Sequence, residues 1–205
     1  MIGGRDDRSP APRHLRDPLP VYEPPAGVDH PPLAPLLALL ERLRAHGLPH
    51  ALGASGLLAA LGLVRKVNDW DVTVEASVGK LEAACAGLAF SRHGNSGCHA
   101  DHKLGFEQER IELIADFAFF GPHGIVRIPT AVTGDWQGIP VGSPTAWAAA
   151  YALMGELDDD SRRRERAAAL FAWLAGQPAE HEVRETLLAQ SPPAEVAVRL
   201  RALPA

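Results

Sequence analysis

The chain has 205 residues, 46% of them hydrophobic and 22% charged, with a formal net charge of -5. That suits one domain of roughly 150 residues plus an appendage, and the mild negative charge argues against nucleic-acid binding by bulk electrostatics. The longest apolar runs, Leu33 to Leu40 and Ala146 to Met154, fall well short of the ~20 residues of a membrane span; with no apolar leader and no spacing that argues for pairing Cys85 with Cys98, a reduced cytoplasmic protein is expected.

Residues 1–32 are rich in proline and charge and lack apolar periodicity, so an extended arm, disordered or draped over the domain, is expected. From Leu33 the spacing of Leu36, Leu37, Leu39, Leu40 and Leu43 predicts an amphipathic helix ending near Gly47. His50 to Gly53 reads as a short buried strand entering a Gly53-Ala54-Ser55-Gly56 turn, followed by an apolar helix over Leu57 to Leu63. Arg65 and Lys66 close that helix, as a favourable C-terminal charge pair or as phosphate contacts.

Next comes Asp69-Trp70-Asp71 at the head of the β-branched run Val72-Thr73-Val74. In a strand the two carboxylates share one face and Trp70 points into the opposite layer. Two such carboxylates repel and raise each other's pKa unless a cation neutralises them, which suggests a divalent-metal site.

A surface helix over Val78 to Leu88 is predicted, then β-rich chain from Phe90 with a polar loop from His93 to His102. Cys98-His99 with Asp101-His102 has metal-ligand chemistry but no second pair, so a polar hairpin loop at the mouth of a site is expected, with Lys103 or His102 in reach of a substrate phosphate. Arg110 to Phe117 is strand-like, with Glu112, Ile114 and Asp116 on one face. Ser143-Pro144 is an N-cap followed by Pro at the first helical position, launching a helix to about Met154. Arg162 to Leu174 is a helix whose arginines read as a solvated face, and residues 179–201 supply further helices. Trp70, Trp136, Trp147 and Trp173 read most simply as core or interface residues.

A strand, a Gly-Ser turn opening a helix, a D-h-D strand and a later strand carboxylate resemble the nucleotidyltransferase superfamily related to polymerase β, over about 90 residues from His50 to Phe120. The resemblance implies an α/β (α+β) fold: a small mixed sheet flanked by helices over 33–142, after the arm at 1–32 and before a helical region at 143–205. It implies that Gly53 and Ser55 bind nucleotide phosphates, helped by Arg65 or Lys66. It also implies that Asp69, Asp71 and Glu112 hold Mg²⁺ or Mn²⁺, with Asp116 the alternative third carboxylate. The activity implied is transfer of a nucleoside monophosphate from a nucleoside triphosphate such as ATP to an acceptor that is a small molecule, a tRNA or a protein.

Two other readings stand beside it. One is the same fold as a non-catalytic binding module. The other is a haloacid-dehalogenase-type phosphatase with Asp69 as nucleophile, Asp71 as general acid and base, and Asp158 or Asp159 on the metal.

Overall fold

In the computed structural model, residues 19–204 are described; residues 1–18, most of the predicted arm, lie outside them. Residues 19–32 run as extended chain along the domain rather than away from it. Tyr22 N–H donates to Asp135 (2.7 Å), Asp135 N–H to Pro20 (2.9 Å) and Asp29 N–H to Arg65 (2.9 Å), while Asp29 accepts from Val67 (2.8 Å).

Helix α1 (Leu33–Ala45) buries Leu36, Leu39, Leu40 and Leu43 along one stripe, as the i, i+3, i+4, i+7 spacing requires. Gly47 (φ +65°) turns the chain out of it. Strand β1 (His50–Leu52) leads through Gly53 straight into α2 (Ala54–Ala60). That helix starts three residues earlier than its apolar run suggests, and Gly62 (φ +76°) follows its end. Arg65 and Lys66 therefore lie beyond the helix, exposed on the loop to β2, and not in its last turn.

Strand β2 (Trp70–Val74), helix α3 (Val78–Ala84) and strands β3 (Ser91–His93), β4 (His102–Phe106) and β5 (Ile111–Ala115) follow. After the hairpin β6 (Ala118–Gly121) and β7 (Gly124–Arg127) come β8 (Val132–Trp136) and β9 (Ile139–Gly142). One mixed seven-stranded sheet has the order β3-β4-β5-β2-β1-β9-β8, and β6-β7 form a separate ribbon. At its centre β2 is parallel to β5 and antiparallel to β1.

Alternation along these central strands sorts the side chains by chemistry. Trp70, Val72, Val74, Ile111, Leu113 and Leu104 are buried on one face, while Asp71, Glu112 and Lys103 share the other. Trp70 packs edge-on to Trp136 at 5.7 Å, with His30 against both rings.

Helix α4 (Pro144–Leu157) begins at Ser143, whose Oγ accepts from Ala146 N–H (3.0 Å). Glu180 reinforces that start, accepting from Thr145 N–H (3.0 Å) and from Ser143 Oγ. Helix α5 (Ser161–Leu174) is capped by Asp160 and packs on α4. Helices α6 (His181–Leu188) and α7 (Ala194–Arg201) complete the helical region. No helix among the described residues is long and apolar enough to cross a membrane.

Candidate active site

The geometry around Asp71 starts from strand register. Asp71 and Glu112 are direct partners in the parallel β2–β5 ladder, so their Cα atoms are about 4.8 Å apart and both side chains leave the same face. The ladder is anchored at this end by Trp70 N–H donating to Arg110 (2.8 Å). Asp69 precedes the strand and is exposed, whereas Asp71 is half-buried.

The turn before α2 is fastened to the same spot. Gly53 N–H donates to the Asp71 carbonyl (2.8 Å), and Ser55 Oγ is directed at the Asp69 carbonyl (3.4 Å). Gly53 is glycine for a steric reason: a Cβ there would lie 1.9 Å from Trp147 Cζ2. Ala54 is held at φ +42°, a left-handed conformation that costs an L-residue roughly 1–2 kcal/mol. Having no side chain, the N-cap Gly53 offers no acceptor to the first amides of α2.

Charge is unevenly distributed. Burial first, then repulsion from Asp69 and Glu112, pushes the Asp71 carboxyl up to about 8, against the opposing pull of Lys103 and Arg166. Glu112 has a partner of its own, Lys103 Nζ at 2.8 Å. Burial pulls the Lys103 ammonium down, but Glu112, Asp101 and Asp71 outweigh it and its pKa ends raised. Lys103, expected within reach of a substrate phosphate, is thus committed to Glu112.

Two groups from the C-terminal helices lie within the field of Asp71, and neither was singled out in the sequence for this position. Arg166 Nη1 donates to Tyr151 Oη (3.1 Å), with the guanidinium 5.4 Å from the ring centroid. The Asp71 field reaches Tyr151, whose phenol burial raises above its ordinary range. The α5 arginines are consequently not a plain solvated face: Arg163 pairs with Asp158 (2.6 Å), Arg164 with Asp159 (2.9 Å), and Arg166 bonds Tyr151 with its charge felt at Asp71.

Of the other predicted residues, Asp116 lies one residue past β5 with φ +53°. Four residues from Glu112 at ~3.3 Å each place it about 13 Å along the strand, so it does not join Asp71. The backbone of the Arg65–Val67 loop grips Asp29 while the side chains of Arg65 and Lys66 stay exposed.

The carboxylates fit a hard divalent cation by chemistry: an all-oxygen set in which Asp71 has no ion-pair partner among the described residues and is raised by burial and then by its acidic neighbours. They are not drawn tightly together. Among the described residues, the group whose ligand atoms all lie within 4.8 Å of one another is Cys98, His99 and Asp158. A cavity of about 830 Å³ opens between α1 and the β3–β5 edge, lined by Leu39, Phe90, Phe106 and Ile111. Phe106 and Ile111 belong to the apolar face, so the cavity lies away from Asp71.

Against solved structures, the chain superposes on the antibiotic-resistance factor ANT(2'')-Ia in solution with a TM-score of 0.50 and 18% identity, covering 80% of this chain and 91% of that one. ANT(2'')-Ia in complex with adenylyl-2''-tobramycin gives 0.48 and 19%, covering 78% and 96%. A candidate nucleotidyltransferase from Thermotoga maritima gives 0.47 and 20%, covering 71% and 93%. No protein-family profile matches the sequence, and no curated protein matches it significantly. The chain therefore shares the fold of ANT(2'')-Ia, a mixed sheet flanked by helices.

Proposed function

We propose that this protein is a metal-dependent nucleotidyltransferase that moves a nucleoside monophosphate from a nucleoside triphosphate to an acceptor hydroxyl. The observation that carries the reading is the register pairing of Asp71 with Glu112, beside a glycine turn bonded to the Asp71 backbone. Likeness of fold to ANT(2'')-Ia supports it.

In this reading Asp69, Asp71 and Glu112 hold Mg²⁺ or Mn²⁺, which when bound neutralises phosphate charge and polarises the α-phosphoryl group. The amides at the start of α2, uncapped by any side chain, receive triphosphate oxygens. Ser55 fixes the turn against Asp69 and so sets the angle at which those amides meet the phosphates. Lys103 holds the Glu112 carboxylate in position through their ion pair. Arg166, braced by Tyr151, brings a fixed positive charge to the acidic end of the sheet, where pyrophosphate charge grows as it departs. Exposed Arg65 and Lys66 add flanking charge to the triphosphate. The acceptor oxygen attacks the α-phosphorus, the bond to the β-bridging oxygen breaks, pyrophosphate leaves, and the hydroxyl proton passes to water.

The acceptor we favour is a small hydroxylated molecule, since the related fold of ANT(2'')-Ia has been observed with adenylyl-2''-tobramycin; a tRNA or a protein is the alternative. No observation favours the phosphatase reading: Asp69 and Asp71 open a strand, and Asp158 and Asp159 sit in the α4–α5 turn. The test is incubation with Mg²⁺ and each α-labelled nucleoside triphosphate against panels of aminoglycosides, tRNA and protein. Label in an acceptor with stoichiometric pyrophosphate supports the proposal. Release of inorganic phosphate from simple esters without label transfer overturns it.

A further inference from the structure

The loop before β4 carries a second group of ligands that the nucleotidyl-transfer site does not use. A sulfur, a nitrogen and an oxygen from Cys98, His99 and Asp158 lie within 4.8 Å of one another. Cys98 and His99 come from this loop, and Asp158 from the C-terminal end of α4, sixty residues on. Hydrogen bonds from Ala100 N–H to Ala118 (2.9 Å) and from Phe120 N–H to Cys98 (2.7 Å) pin the loop to β6. Asp158 is oriented from both sides: its Oδ2 accepts from Arg163 Nη1 (2.6 Å) and its Oδ1 from Cys98 N–H (3.3 Å).

The independent observation is Asp101. It is 1% exposed, neither carboxylate oxygen has a hydrogen-bond partner, and Oδ1 lies 3.5 Å from His99 Nδ1, itself buried and unbonded. Lys103, whose field reaches Asp101, is bonded to Glu112. A buried carboxylate facing a buried, unbonded ring nitrogen is costly. The same pair beside a thiol and a second carboxylate has the composition of a metal centre in which a carboxylate orients a ligating histidine.

We propose that Cys98, His99 and Asp158 bind one Zn²⁺, with Asp101 holding the His99 ring from behind. A mixed sulfur, nitrogen and oxygen set selects zinc over magnesium, which takes oxygen ligands. A tetrahedron with ordinary zinc bond lengths has ligand-to-ligand edges of about 3.5 Å, so the three donors need close by little more than 1 Å. Thiolate and Asp158 together balance the ion's charge, Arg163 remains paired with the far oxygen of Asp158, and Asp101 lies in the field of Lys103. Such an ion staples the loop before β4 to the α4–α5 corner, from which Arg166 reaches the Asp71 site.

The test uses full-length protein stripped with chelator and titrated with Zn²⁺ against a chromophoric chelator, with Co²⁺ as a spectroscopic stand-in. One equivalent bound, a rise in melting temperature and a thiolate-to-Co²⁺ charge-transfer band are expected. Cys98→Ser and His99→Gln abolish tight binding and Cys98→Ser removes the band, while Asp101→Asn weakens affinity by about 10–100-fold. Asp71→Asn binds zinc unchanged, which separates this site from the proposed magnesium site. Circular dichroism of the stripped variants shows whether each folds. No zinc uptake by the wild type, or uptake undiminished in both Cys98→Ser and His99→Gln, overturns the proposal.

Discussion

Asp71 and Asp101 both act on Lys103, and the protein treats the two carboxylates differently. Asp71 is half-buried beside Asp69 and Glu112, within the fields of Lys103 and Arg166. Asp101 is fully buried, faces a histidine, and has no hydrogen-bond partner. One lysine connects them and bonds to neither: it bonds Glu112. The contrast is between an oxygen-only set of the kind a hydrated magnesium ion takes and a mixed set containing a buried thiol of the kind zinc takes. Acidity alone does not define a metal site; solvent access and the second donor type decide which ion it takes.

The comparison is broken most sharply at Asp71. Asp71→Asn should reduce nucleotidyl transfer by a factor on the order of 10³. Because Asn carries no charge at any pH and breaks no salt bridge among the described residues, its metal-free melting temperature above pH 8 should equal or exceed that of the wild type. A melting curve beside a transfer assay checks both halves. Gly53→Ala should cost about 3 kcal/mol, since the new methyl overlaps the Trp147 ring; a urea titration measures this, and nucleotide binding should fall with it. Lys103→Met should weaken metal–nucleotide binding roughly tenfold by leaving Glu112 without its cation, as seen by calorimetry.

A slope with pH tests the same carboxyl. Asp71 binds its proton more tightly when folded than when unfolded, with a folded pKa of about 8. Its contribution is therefore fully present below about pH 4 and lost as pH rises through 8. Metal-free protein should lose stability across that window, and saturating Mg²⁺ should flatten the slope. Denaturant titrations at several pH values, with and without Mg²⁺, measure it.

Much of this architecture was legible from local pattern. The leucine stripe of α1, the Ser143-Pro144 start of α4 and the alternation of β2 and β5 are written in adjacent residues. The register that sets Glu112 beside Asp71 follows from alternation once the two strands are neighbours. Asp116 belongs to the same alternation on paper, but the chain leaves the strand at a left-handed residue before it can share the site. Long-range contacts left no such trace. Arg166 lies 95 positions from Asp71 and looks like one more arginine of a solvated run. Asp158 reads as part of a polar break between helices, with nothing to signal Cys98 sixty residues earlier. Burial of Asp101 is a property of the packed loop, invisible in the polar run from His93 to His102.

The central claim, that Asp71 and its neighbours hold a divalent metal for a nucleotide, is tested most directly by calorimetry. Nucleoside triphosphates are titrated into wild type and Asp71→Asn, each with Mg²⁺ and with chelator. The account predicts binding by the wild type that requires Mg²⁺ and is lost in Asp71→Asn. Absence of Mg²⁺-dependent binding in the wild type, or binding of equal strength in the variant, would contradict it.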